Sequence, residues 1–151
     1  MDNDDIIKLV NSLIETSKDG EYGFRTSAEY IRNAATKQLF LRRAEDCHNA
    51  ALELQALVTE LGGKAEDSGS TAGAMHRGWV AVKGTLAGYK DLAILEDVER
   101  GEDTAVKRYR EALDKDLPPR VRAVIEGQYQ GAKRNHDQVR SLREQERTAR
   151  A

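Results

Sequence analysis

One cysteine in 151 residues leaves no partner for an internal disulfide. Two prolines leave long helices uninterrupted. No apolar run approaches the roughly 20 residues that a membrane-crossing helix needs. Neither sign of charge dominates: Lys and Arg number 24 against 26 Asp and Glu, a net charge of -2, so no basic field exists to hold nucleic acid or an anionic membrane. The opening "MDNDDIIKLV" lacks the basic stretch and the long apolar stretch of a signal peptide. Together these absences lead to an expectation of a cytoplasmic, all-α protein with no nucleic-acid or membrane partner. A chain of this length suits one domain with a core that needs no staples.

Apolar and small residues recur at alternating steps of four and three, the spacing of packed helix seams. The first seam is Ile6, Val10, Leu13, Ser17, Gly20, Phe24, Ser27 and Ile31, and predicts a helix over about Asn3 to Arg32. The second is Phe40, Ala44, Cys47, Ala51, Leu54, Val58 and Leu61, stopped by the glycines 62 and 63. Leu92, Leu95, Glu99, Glu102, Val106, Tyr109 and Leu113 form the third, ended by "DLPP". Val121, Ile125, Gln128, Ala132, Asn135, Val139 and Leu142 form the fourth. The second and third seams are joined by a long segment with Met75, Trp79, Val82 and Leu86 at helical spacing, which predicts a short extra helix near residues 71 to 86. Two short connections around one long one predict two antiparallel hairpins joined by a crossover, an up-down-down-up four-helix bundle over residues 1–145. The charged tail 146–151 is expected to fray.

Three of the four seams turn polar or small near their middles. Ser17 and Gly20, Glu99 and Glu102, and Gln128 and Asn135 stand where a core would otherwise be apolar. Buried carboxylates cost several kcal/mol each unless paired or bound to a cation. Counting along helices at about 1.5 Å per residue puts Glu21 level with Glu45 and His48, Glu102 level with Lys133, and Glu99 level with His136. These residues can converge near the middle of the bundle. The alternative for Glu45 and His48 is a helix edge with a salt bridge, and for Glu99 and Glu102 a metal-free ionic network with Lys133 and His136.

The pattern resembles the carboxylate-bridged dimetal site of ferritin-like proteins, with one Glu from each of two helices and a Glu-x-x-His from each of the others. Glu21, Glu45 with His48, Glu99 or Glu102, and His136 match it. Lys133 stands where the last motif has its glutamate, and is expected to act as an ionic partner replacing a ligand. The whole chain also resembles a small uncharacterised bacterial family of ferritin-like bundles. That likeness is carried by "DGEYGFRTSAEYI", "GSTAGAMHRGWVAVKG", "AILEDVERGEDTAVKRYREAL" and "DLPP" over roughly residues 4 to 143. It implies a ferritin-like fold and no established activity.

The remaining motifs carry little chemistry. Cys47 lies on an apolar seam beside Ala44 and Ala51, as a small core residue does. Tyr109 and Tyr129 read as core, and His76 as part of a cap with Trp79. "GSTAG" lacks the Gly-Lys-Ser/Thr end of a phosphate loop. No Ser-His-Asp or Cys-His-Asn set assembles. Gly20 and Gly23, inside a helical pattern, predict a bend or widening of the first helix. The leading expectation is a bundle with a diverged central site and at most weak or single binding of Fe or Mn, with no cofactor demanded by the pattern. The alternatives are a di-iron or di-manganese oxidoreductase or iron-handling protein, and a helix-bundle interaction module. Association of copies and engagement of a protein partner stay open.

Overall fold

The computed structural model describes residues 1–70, 73–74 and 90–149. Four helices carry the fold: α1 (Asn3–Tyr30), α2 (Ala34–Glu60), α3 (Asp91–Leu113) and α4 (Pro119–Ala149). No strand occurs among the described residues. The expected helix near 71 to 86, with Met75, His76, Trp79, Val82 and Leu86, falls outside the described residues apart from positions 73 and 74. α4 continues to Ala149, through most of the segment expected to fray.

Local chemistry sets the helix ends. The Asp2 carboxylate accepts the Asp5 N–H at 2.9 Å, and the Asn33 side-chain oxygen accepts the Thr36 N–H at 3.0 Å, each filling one of the donors a helix start leaves open. At the end of α2, Gly62 takes φ +82°, and the N–H groups of Gly62 and Gly63 return to the carbonyls of Thr59 and Val58 at 3.0 Å each. Pro119 opens α4 where a missing N–H costs nothing. Arg122 ties down the preceding turn by donating to the carbonyls of Leu113 at 3.0 Å and Lys115 at 2.7 Å.

Long-range bonds place the helices. Asp91, at the start of α3, is buried, and its two carboxylate oxygens accept the backbone N–H groups of Arg32 at 2.7 Å and Asn33 at 2.9 Å. The start of α3 therefore sits at the α1–α2 turn. At the opposite end Arg120 of α4 pairs with Glu60 of α2 at 3.1 Å. α1 packs along α2, α3 along α4, and α1 along α3, while α2 and α4 touch less.

The apolar core is divided in two. One cluster joins Ile6, Val10, Leu13 and Ile14 to Leu54, Leu57, Val58, Val121 and Ile125. The other joins Phe24, Ala28 and Ile31 to Phe40, Ala44, Ile94, Leu95, Val98 and Val139, with the Phe24 and Phe40 rings 5.5 Å apart and tilted by 56°. Between them lies the polar middle of the seams. No described helix is long and apolar enough to cross a membrane.

Gly20 and Gly23 do not interrupt α1, which is α-helical from Asn3 to Tyr30 with no widened turn. Gly20 has a different purpose. A Cβ there would lie 2.9 Å from the Cys47 sulfur, so the missing side chain lets α2 come close to α1. Cys47 fills that gap.

Candidate functional site

A chain of hydrogen bonds crosses the middle layer and reaches all four helices. Ser17 of α1 and the Tyr109 hydroxyl of α3 meet at 3.4 Å, and Tyr109 donates to the Gln128 side-chain oxygen of α4 at 2.7 Å. Gln128 donates in turn to the Ala50 carbonyl at 3.2 Å and to Glu53 at 2.7 Å, both on α2. Burial raises the Tyr109 phenol, keeping it a neutral donor. Tyr109 is thus core as expected, and also polar. Gln128 is the reason its hydroxyl can be buried.

The acidic and imidazole groups expected at the centre divide into separate sets. Glu21 is 4 % exposed. It accepts from Arg25 one turn later, lies 3.8 Å from Lys18, and meets His48 Nδ1 at 3.3 Å. Glu99 is buried and pairs with Arg143 of α4 at 2.7 Å. His136 Nε2 bonds to Asp103, and its Nδ1 lies 3.3 Å from Asp137. Glu45 is exposed. Lys133, expected as an ionic partner, is exposed, and no ion pair of it occurs among the described residues. The guanidinium groups of Arg25 and Arg143 hold the carboxylate charge that the ammonium was expected to take. Both arginines stand within reach of a buried carboxylate, whereas position 133 turns toward water.

Glu102 is 7 % exposed and has neither a hydrogen bond nor an ion pair among the described residues. Burial pushes its carboxyl up to about 7, against the smaller opposing pull of His136 and Arg43. Cys47 is half-buried: desolvation raises its thiol, and the charges of Glu102, Asp46 and Glu21 raise it further. It is not poised as a nucleophile.

Among the described residues, Glu99, Asp103 and His136 form the one set whose candidate ligand atoms all lie within 4.8 Å of one another. Glu99 and Asp103 are four apart on α3 and share a face, and His136 faces them from α4. Glu99 and His136, expected at one level, are both members of this grouping. Asp103 was not among the expected ligands because it lies off the seam. Its signal was the i, i+4 spacing from Glu99, just as Arg25 stands four after Glu21.

Residues 5–115 match the model of a family described as Domain of unknown function (DUF2383). The chain belongs to that family. No curated protein matches it. The DUF2383 match takes in α1, α2 and α3 with Glu21, Glu45, His48, Glu99, Glu102 and Asp103, and stops before α4, which supplies Gln128, His136 and Arg143.

Proposed function

We propose that this DUF2383 protein is a cytoplasmic, ferritin-like bundle that binds one divalent metal ion weakly, Fe or Mn by its ligand chemistry. The up-down-down-up arrangement is supported by two contacts. Asp91 brings the start of α3 to the α1–α2 turn, and Arg120 with Glu60 brings the start of α4 to the end of α2. In this reading α3 runs parallel to α2, and α4 parallel to α1.

The metal reading rests on one observation: the oxygen of Glu99, the oxygen of Asp103 and a ring nitrogen of His136 lie within 4.8 Å of one another. Two carboxylates and an imidazole suit a first-row divalent ion. Glu21 and His48, already in contact at 3.3 Å, are half of what a second ion would need, and Arg25 occupies the glutamate. A dimetal centre is disfavoured for that reason, and with it oxygen-activating chemistry.

Elemental analysis of protein purified without chelator, followed by anaerobic titration with Fe(II) and Mn(II), tests the proposal. One weakly held equivalent is expected, lost in His136→Ala. Two tightly bound equivalents, or one that survives His136→Ala, overturn it.

A further inference from the structure

Between the two apolar clusters lies a cavity of about 690 Å³ walled by residues of all four helices. Its volume falls within the roughly 300–1,000 Å³ of small-molecule sites. Gly23 of α1 and Gly101 of α3 line it. Both are helical with no positive φ, and a Cβ at either meets no atom within 4 Å among the described residues. Among the described residues, neither backbone conformation nor crowding calls there for glycine, a costly residue inside a helix.

Among the described residues, five carboxylates and three arginines line the cavity. Four of the carboxylates have polar partners. Asp19 accepts from the N–H and hydroxyl of Ser70 at 2.9 and 2.6 Å, and Asp46 from Arg43 at 2.9 Å. Glu53 accepts from Gln128 at 2.7 Å, and Asp97 from Arg100 at 3.2 Å. The fifth, Glu102, is buried and has none among the described residues. Phe24, Val98 and Ala105 supply apolar wall. A buried carboxyl without a partner among the described residues, beside an apolar wall, is matched by a charged nitrogen donor with an apolar body. A metal ion is a poorer match, because Glu102 is not part of any three-ligand group among the described residues.

We propose that the cavity binds a small organic amine, its cationic nitrogen held by Glu102 and its apolar body lying against Phe24 and Val98. The site is distinct from the Glu99, Asp103 and His136 group and does not depend on the metal reading.

Calorimetric titration of the full chain in EDTA at pH 8, with 3-phenylpropylamine, 3-phenylpropan-1-ol and 3-phenylpropanoate, tests it. The amine is expected to bind about tenfold or more tightly than the alcohol, and the acid more weakly than either. Glu102→Gln should bring the amine to within about threefold of the alcohol while leaving the alcohol unchanged. Gly101→Leu, which fills the space from an adjacent position, should abolish binding of both, with its melting temperature confirming a folded chain. Equal affinity of amine and alcohol overturns the proposal. So does an amine affinity untouched by Glu102→Gln or by Gly101→Leu, or the absence of saturable amine binding to the wild type.

Discussion

Glu102 opposes folding once it ionises. In the unfolded chain a glutamate titrates near 4.5, and burial pushes Glu102 up to about 7 in the folded chain. Below 4.5 the carboxyl is neutral in both states and costs nothing. Between 4.5 and about 7 the folded chain binds the extra proton, so stability falls as pH rises, by up to about 3 kcal/mol above that range. Glu102→Gln removes this dependence. In urea denaturation with EDTA at pH 5.5 and pH 8, the wild type is expected to lose about 1 to 3 kcal/mol more than the variant on going to the higher pH. Matching losses in the two proteins would show that Glu102 is solvated or paired in solution.

Gly20 and Gly23, three apart on α1, have opposite physical roles. Gly20→Ala puts a methyl group 2.9 Å from the Cys47 sulfur and should cost about 1 to 3 kcal/mol, since α2 must move away. Cys47→Ala, which removes the sulfur, should recover most of that loss in the double variant. Gly23→Ala meets no described atom and should gain about 1 kcal/mol from helix propensity. Thermal melts of the four proteins read both effects. A stabilising Gly20→Ala would contradict the close approach of the helices.

At the scale of the elements, the connection between α1 and α2 depends on a residue almost sixty positions away. The Asp91 carboxylate takes the N–H groups of both Arg32 and Asn33, and all three lie where α3 begins. Asp91→Ala leaves two backbone donors without a partner and should destabilise by about 2 to 4 kcal/mol, whereas Asp91→Asn, which keeps one acceptor, should lose about half of that. Equilibrium unfolding of the two variants checks the ranking.

Seam spacing carries helix identity well, because burial of one face every three or four residues is a property of the local chain. Of the first seam, Ile6, Val10, Leu13, Ser17, Phe24, Ser27 and Ile31 are buried and Gly20 is half-buried. The polar middle was legible for the same reason: Ser17, Glu99 and Glu102 interrupt apolar seams and are buried. What lay beyond the sequence was the rotation of one side chain relative to the next. Glu102 and Asp103 are adjacent, yet Glu102 turns to the cavity while Asp103 turns to His136. Lys133 and His136, three apart, share a level near Asp103, but among the described residues only the imidazole reaches a carboxylate. Arg143 was unexpected as the partner of Glu99, because it comes from a charged stretch just before a tail with no apolar seam of its own.

For the whole molecule, the Glu99, Asp103 and His136 group bridges α3 and α4, so a bound ion would tie the second hairpin together. Any ligand of the folded state alone raises stability in proportion to the logarithm of its concentration over its dissociation constant. Two cationic side chains work against it. Arg143 lies 2.7 Å from Glu99, and an incoming ion must displace it. Lys133, one turn before His136, adds positive charge nearby and has no ion pair among the described residues. Arg143→Gln should therefore raise affinity for Mn(II) by about tenfold, the usual worth of one charge-assisted contact. Lys133→Glu should raise it further by supplying a carboxylate three residues before His136, the spacing of Glu45 and His48. In the absence of metal both changes should lower the melting temperature, Arg143→Gln because Glu99 is left buried without its partner, and Lys133→Glu because it adds a like charge beside Asp103. Melting curves with and without Mn(II) therefore separate the two effects: each variant should melt lower than the wild type in EDTA and show a larger upward shift when the ion is added. A variant that melts lower in EDTA and shifts no further than the wild type would mean that Arg143 and Lys133 do not compete with an ion, and that the three-residue group is an ionic contact between two helices.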